Sequence, residues 1–167
     1  MSVRLARAGD LPRLAAIEIS AGERFRGTHM EWAADADPTP LADLEPALQR
    51  DELWVAEAAG ELVGFLLALP LDDALYIREV AVARGQQGKG HGRALIAVAE
   101  AHARAQGYAA LTLTTDELIE WNRPFYERLG FRVTDPFDLS PDLYQRLRQE
   151  RELFPPSAHR CAMRRLV

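Results

Sequence analysis

The segment Gln87-Gly88-Lys89-Gly90-His91-Gly92-Arg93-Ala94-Leu95 holds the residue types that an anion site needs. Its three alternate glycines let backbone amides turn toward a ligand with no Cβ in the way. A strand-like run, Tyr76 to Val82, precedes it, and a helical pattern follows. A helix start at this point adds unpaired N–H groups and the positive end of the helix dipole. Lys89 and Arg93 add mobile positive charge. Such a junction suits a pyrophosphate. A turn that merely opens a helix does not account for so many glycines beside two cations.

Two well-known phosphate loops do not fit. A mononucleotide loop has Ser or Thr directly after its Lys and opens with Gly six residues earlier; here those positions are Gly90 and Ala83. A dinucleotide fingerprint beginning at Gly88 needs Gly where Arg93 stands, and belongs on the first strand of its domain. Several strand-like runs come before this one.

The loop resembles that of the GNAT N-acetyltransferases, which bind acetyl-CoA with the pattern Gln/Arg-x-x-Gly-x-Gly/Ala. Gln87, Gly90 and Gly92 match it. Glu79-Val80-Ala81-Val82 looks like the family's strand beside the pantetheine arm. A second block, Glu120-Trp121-Asn122-Arg123-Pro124-Phe125-Tyr126-Glu127-Arg128-Leu129-Gly130-Phe131, is similar to the family's Asn-containing segment ending in Tyr-x-x-x-Gly-Phe. The resemblance covers roughly Val3 to Val133. One departure is visible: Asn122 lies four residues before Tyr126, where many members have seven. The resemblance implies acetyl-CoA as co-substrate, held by Val80, Ala81, Val82, Gln87, Gly88, Lys89, Gly90, His91, Gly92, Arg93, Asn122 and Phe125. It also implies direct attack by a primary amine of a small molecule or peptide, with no covalent enzyme intermediate.

Acetyl transfer to an amine needs a held thioester, a polarised carbonyl, a neutral amine and a proton for the departing thiolate. Tyr126 is the candidate acid. A phenol with a pKa of about 10 holds its proton at neutral pH and matches an alkyl thiol. Its competing role is aromatic packing, and Phe125 and Tyr126, adjacent on a helix, cannot both face the core. By resemblance, backbone N–H groups of Val80 to Val82 polarise the carbonyl. Glu79 is the first choice for general base, with pairing to an arginine or plain exposure as equal alternatives. Water relayed to Asp72, Asp73 or Glu120 is a substitute. Strict alternation puts Tyr76, Arg78, Val80 and Val82 on one face and Ile77, Glu79 and Ala81 on the other, unless a bulge intervenes. Cys161, among apolar neighbours far from both blocks, reads as a core residue rather than a nucleophile. His29, His102 and His159 have no partner pattern, and His102 reads as packed on an apolar helix face.

These residues must be positioned by an α/β, mixed α+β, framework. The pattern predicts strands over 3–7, 53–58, 62–69, 75–82, 111–115, from 131 and over 159–165. It predicts helices from Asp10, which can cap with Pro12 in the first turn, over 41–50, 93–106 and 123–129, and from Ser140 to about Leu153. Ala59-Gly60 predicts a tight hairpin. Strands in the first half are expected to be antiparallel, with a right-handed parallel crossover from Leu75 to Thr115. The resemblance implies a central mixed sheet of six to seven strands flanked by helices, its parallel pair splayed apart at Val80 to Val82.

Composition narrows the classes. The 167 residues are 48% hydrophobic and 27% charged, enough for one domain, 1–167, with a real core. A net charge of −5 argues against a nucleic-acid partner. A single cysteine excludes an internal disulfide and a multi-cysteine metal site, and no metal-ligand spacing is present. The longest apolar run, Leu62 to Leu71, is too short to span a bilayer. The first residues have no apolar signal region. The expectation is a cytoplasmic monomer or homodimer without metal. Glu31, Asp35, Asp37, Asp43, Glu45, Asp51 and Glu52 face only Arg50 in their segment. This run reads as a solvated surface, with steering of a cationic amine as the alternative. Phe25, Trp32 and the insertion Asp135 to Pro156 are candidates to build an acceptor site. A binder of acetyl-CoA without turnover is the other class to weigh, and a nicotinamide oxidoreductase a distant third.

Overall fold

The computed structural model describes residues 1–167. Seven strands form one mixed sheet in the order β1-β2-β3-β4-β5-β7-β6. They are β1 (Ser2–Leu5), β2 (Leu53–Ala58), β3 (Glu61–Leu71), β4 (Ala74–Val82), β5 (Ala110–Asp116), β6 (Arg132–Val133) and β7 (Arg160–Leu166). The helices are α1 (Leu11–Gly22), α2 (Leu41–Gln49), α3 (His91–Ala105), α4 (Arg123–Arg128) and α5 (Pro141–Leu153). The chain divides into two compact units, one of Met1–Leu69 with Ile77–Ala101, the other of Pro70–Tyr76 with His102–Val167.

In the first unit, β1 pairs antiparallel with β2, and β2 with β3. Leu11, Leu14 and Ile17 of α1 and Leu44 and Ala47 of α2 pack with Leu53, Val55, Phe65, Leu67 and Ala81 of the sheet. Ala59 and Gly60 both take positive φ, 51° and 79°, the turn that matches the twist of a two-residue hairpin. Asp10 does not cap α1 with its side chain. Its carboxylate instead accepts from Arg4 at 2.7 and 3.1 Å and from the Arg7 N–H at 2.7 Å. Those bonds to the Arg4 guanidinium hold its carboxyl below the ordinary value.

Two irregularities shape β4. In β3 the register jumps from Ala56↔Gly64 to Glu57↔Leu62, leaving Val63 as the extra residue of a bulge. A Cβ on Gly64 would lie 2.8 Å from the Ala81 carbonyl oxygen, so only glycine permits this approach. In β4, Arg78 bonds Asp43 of α2 at 2.8 Å while Ala81 packs against α1 and α2. Residues three apart therefore turn to one layer, so strict alternation does not hold between Arg78 and Ala81, the exception the sequence reading allows for.

In the second unit, β4 begins beside β5 in parallel, Ala74–Tyr76 against Ala110–Thr112. That ladder is three pairs long, although β4 has nine residues and β5 seven. On its other edge β5 pairs along its whole length with β7, antiparallel, and β6 adds a short edge. Helix α5 starts where the sequence predicts, but Ser140 makes no side-chain cap. Asp72, on a turn with φ 54°, accepts from the Asp142 and Leu143 N–H groups at 3.1 Å each. Asp73 is paired with Arg164 at 2.9 Å. Asp72 and Asp73, two of the three acids considered as relay partners, are thus engaged in holding the fold.

Candidate active site

The glycine loop belongs to the first unit. After β4 a single 3₁₀ turn, Arg84–Gln86, leads into extended Gln87, then Gly88 at φ 78° and Gly90 at φ 88°. Helix α3 begins at His91, two residues before the position expected from the apolar pattern. The Ala94 N–H already bonds the Gly90 carbonyl at 3.0 Å. The N–H groups of His91, Gly92 and Arg93 are then the orphan donors of the first turn. A Cβ at Gly88 or Gly90 would meet nothing within 4 Å. These glycines answer to backbone conformation, and the space over them is open. Orphan donors, a helix dipole, an open cradle and the exposed cations Lys89 and Arg93 fit a pyrophosphate.

Gln87 braces the loop rather than facing outward. Its Nε2 donates to the Val82 carbonyl at 2.9 Å, and its Oε1 accepts from Arg84 at 3.4 Å and Arg24 at 3.5 Å. Burial and the neighbouring Arg84 charge push the Arg24 guanidinium below its usual value. Ser20 Oγ accepts from the Arg84 N–H at 3.0 Å. Arg24 and Ser20 come from 60 or more positions away in sequence and carry no local signal; only the fold reveals them. Lys89 Nζ donates to Gln86 at 3.0 Å. His91 is 4% exposed and its Nδ1 is buried without a hydrogen-bond partner. Burial first, then the charges of Lys89 and the N-terminal amine, lower its pKa, so its imidazole is neutral at pH 7. Val80 and Val82 are half-buried, Ala81 is buried, and Glu79 is half-buried on β4.

The Asn–Tyr block belongs to the second unit. Asn122 precedes α4 and makes no side-chain cap, though its carbonyl accepts from the Tyr126 N–H at 3.2 Å. The Phe131 N–H returns to the Tyr126 carbonyl at 3.1 Å, and the Gly130 N–H to that of Glu127 at 3.0 Å. With Gly130 at φ 90°, this is a Schellman ending. Its usual hydrophobic contact is the edge-to-face pair of Tyr126 and fully buried Phe131, centroids 5.7 Å apart. The spacing Tyr-x-x-x-Gly-Phe therefore has a backbone cause independent of chemistry. Phe125 meets the Tyr126 ring at 5.1 Å, also edge-on. Both rings stay half-buried, as adjacent helical positions require.

Other groups fall into supporting roles. Cys161 is buried and burial pushes its thiol up to about 11, which removes thiolate at neutral pH. Tyr76 is buried, hydrogen-bonded to Thr114 at 2.8 Å and raised to about 12. Of the acidic run, Asp35 pairs with Arg26 at 2.8 Å, Asp43 with Arg78, and buried Glu52 with Arg50. Arginines from neighbouring elements thus offset part of its charge. No group of His, Cys, Asp and Glu is arranged to hold a metal ion. No helix is long and apolar enough to cross a membrane.

Residues 18–131 match the Acetyltransferase (GNAT) family, and the chain belongs to that family. The match includes parts of both compact units. Among curated relatives, N-acetyltransferase family 8 member 3 of Rattus norvegicus is 32% identical over 90 residues, 50% of this chain and 40% of the relative. The chain spans about half the length of the curated relatives it matches. Among solved structures, Rv2747 from Mycobacterium tuberculosis in complex with CoA superposes with TM-score 0.73 at 20% identity, covering 100% of this chain and 99% of that one. N-acetylglutamate synthase from Neisseria gonorrhoeae, complexed with coenzyme A and N-acetyl-glutamate, gives 0.71 at 24%, covering 99% of this chain and 34% of that one. At these identities the likeness speaks for the fold.

Proposed function

We propose that this chain is an acetyl-CoA-dependent N-acetyltransferase, with 1–167 as a single acetyltransferase domain, that acts on a primary amine of a small molecule or peptide by direct attack. The observation that carries the reading is the open glycine cradle at the start of α3, in a chain of the GNAT family. CoA-bound structures of the same fold support it.

Acetyl-CoA, when bound, supplies the thioester carbonyl and the thiolate that leaves. The residues of the chain do the rest. Loop amides from Gly88 to Arg93 hold the pyrophosphate, with Lys89 and Arg93 adding charge. Gln87 fixes the loop to the end of β4. Backbone N–H groups of Val80 to Val82 stabilise oxyanion charge as it builds, which lowers the barrier. Glu79 accepts the proton of the amine nitrogen. Tyr126 holds a proton on Oη for the departing sulfur. Asn122 and Phe125 complete the cofactor contacts. The buried, high-pKa Cys161 supports direct attack over a covalent thiol intermediate.

Calorimetric titration with acetyl-CoA and with NAD tests the binding half of this reading: heat with the first and none with the second is expected. An amine-panel screen with thiol detection of released CoA tests the transfer. Binding without release of CoA across the panel would make the protein a sensor instead.

A further inference from the structure

The second unit holds a cleft of about 270 Å³ between the end of β5, the end of α5 and the start of β7. Its walls include Glu117, Arg151, Phe154, Pro156, His159 and Arg160. The insertion before the last strand, a sequence-level candidate for acceptor binding, supplies the α5 wall.

The two arginines differ. Arg160 is committed: Nε donates to Glu150 at 3.2 Å, Nη2 to Thr114 at 3.3 Å, and its guanidinium lies 5.2 Å over the Phe154 ring. Arg151 has one bond, from Nη2 to the Arg160 carbonyl at 3.0 Å, and no carboxylate partner. Its remaining N–H donors form the free half of a fork that matches a carboxylate. Glu117 supplies the opposite charge. It is 39% exposed and held only loosely, 3.6 Å from Arg123, whose shorter partner is Glu127 at 2.8 Å. Phe154, Pro155 and Pro156 give the cleft an apolar wall.

One guanidinium without a carboxylate partner, one loosely held carboxylate and an apolar wall in a small cleft complement a zwitterion with an apolar side chain. The cleft also adjoins the candidate acid's helix. Arg123, which reaches Glu117, and Tyr126 are three residues apart on α4 and so share a face. We infer that this cleft binds the acceptor and selects a free amino acid, with the carboxylate on Arg151 and the ammonium drawn to Glu117 before it gives up its proton for transfer. This rests on the acetyltransferase reading above and names its acceptor class.

The test is a panel of free apolar amino acids, each beside its carboxamide and its decarboxylated amine. Binding to the protein alone is read by NMR shifts of the cleft residues, and turnover with acetyl-CoA by CoA release. At least one amino acid is expected to bind and turn over, with its amide and amine weaker by about tenfold or more, the worth of one charge-assisted pair. Arg151→Gln should erase that preference while leaving acetyl-CoA affinity and the melting temperature unchanged, and Arg151→Lys should restore part of it. The proposal is overturned if no amino acid binds, if the amide or amine serves equally well, or if Arg151→Gln keeps the preference. Any of these with acetyl-CoA binding intact leaves the N-acetyltransferase reading standing. Loss of the broader reading would show separately, as no heat with acetyl-CoA.

Discussion

Glycine marks both motif-bearing helix ends of this protein, and it does opposite work at each. At the start of α3, Gly88 and Gly90 take positive φ in open space, leaving three amides unpaired. At the end of α4, Gly130 takes positive φ so that amides return and satisfy the carbonyls of Tyr126 and Glu127. One end leaves its donors unsatisfied; the other closes on its own carbonyls. A motif letter is thus not a role. The loop is explained by what it leaves open, whereas Tyr126 is held in place by fold requirements before any chemistry is assigned to it.

The largest expected effect separates those two explanations at Tyr126. Tyr126→Phe keeps the ring contacts with Phe125 and Phe131 and removes only the hydroxyl. Turnover should fall by roughly 10² to 10⁴ while acetyl-CoA affinity and melting temperature hold. The loss should appear in kcat at nearly constant KM. Parental turnover in the Phe variant would reduce Tyr126 to its packing role. Next in size is the open end. Gly90→Val forces a β-branched residue to φ 88°, which L side chains rarely adopt. Affinity for acetyl-CoA should drop by about 100-fold or more with the fold retained. Unchanged affinity would remove the pyrophosphate from this loop.

Much of this contrast was legible in the residues. The strand–loop–helix junction, the Ala59-Gly60 hairpin and the element order all rest on local signals, such as periodicity and turn chemistry. What stayed hidden depends on distant chain segments. Asp72 caps α5 from 70 residues away, where the sequence puts the start on Ser140. Ser20 and Arg24 buttress the Arg84–Gln87 turn from α1 and the turn beyond it. The face shared by Arg78 and Ala81 follows from a break in β4 that no pattern of side chains announces. Nothing local shows why position 64 must be glycine; an added Cβ there would lie 2.8 Å from the Ala81 carbonyl oxygen.

A smaller effect belongs to the closed end. Gly130→Ala imposes positive φ on a residue with a Cβ, at a cost of about 1 kcal/mol. The added carbon meets only the Arg165 side chain, at 3.5 Å, so crowding adds little. The melting temperature should fall by a few degrees, with acetyl-CoA affinity unchanged. A loss of affinity with no loss of stability would mean that this glycine, too, serves the ligand.

The smallest effect concerns His91, the one buried titratable group of the open loop. Its pKa is lowered in the folded state by burial and by the charges of Lys89 and the N-terminal amine. The unfolded imidazole therefore takes up a proton at a higher pH than the folded one. Stability must fall as pH drops through the unfolded value of about 6.5, and the loss levels off once the folded group also protonates. His91→Gln removes this contribution. Between about pH 7.5 and 5.5 the parental melting temperature should decline more steeply than that of the variant. Parallel curves would show that His91 gains its proton as easily folded as unfolded, and that the loop is wetter than its 4% exposure implies.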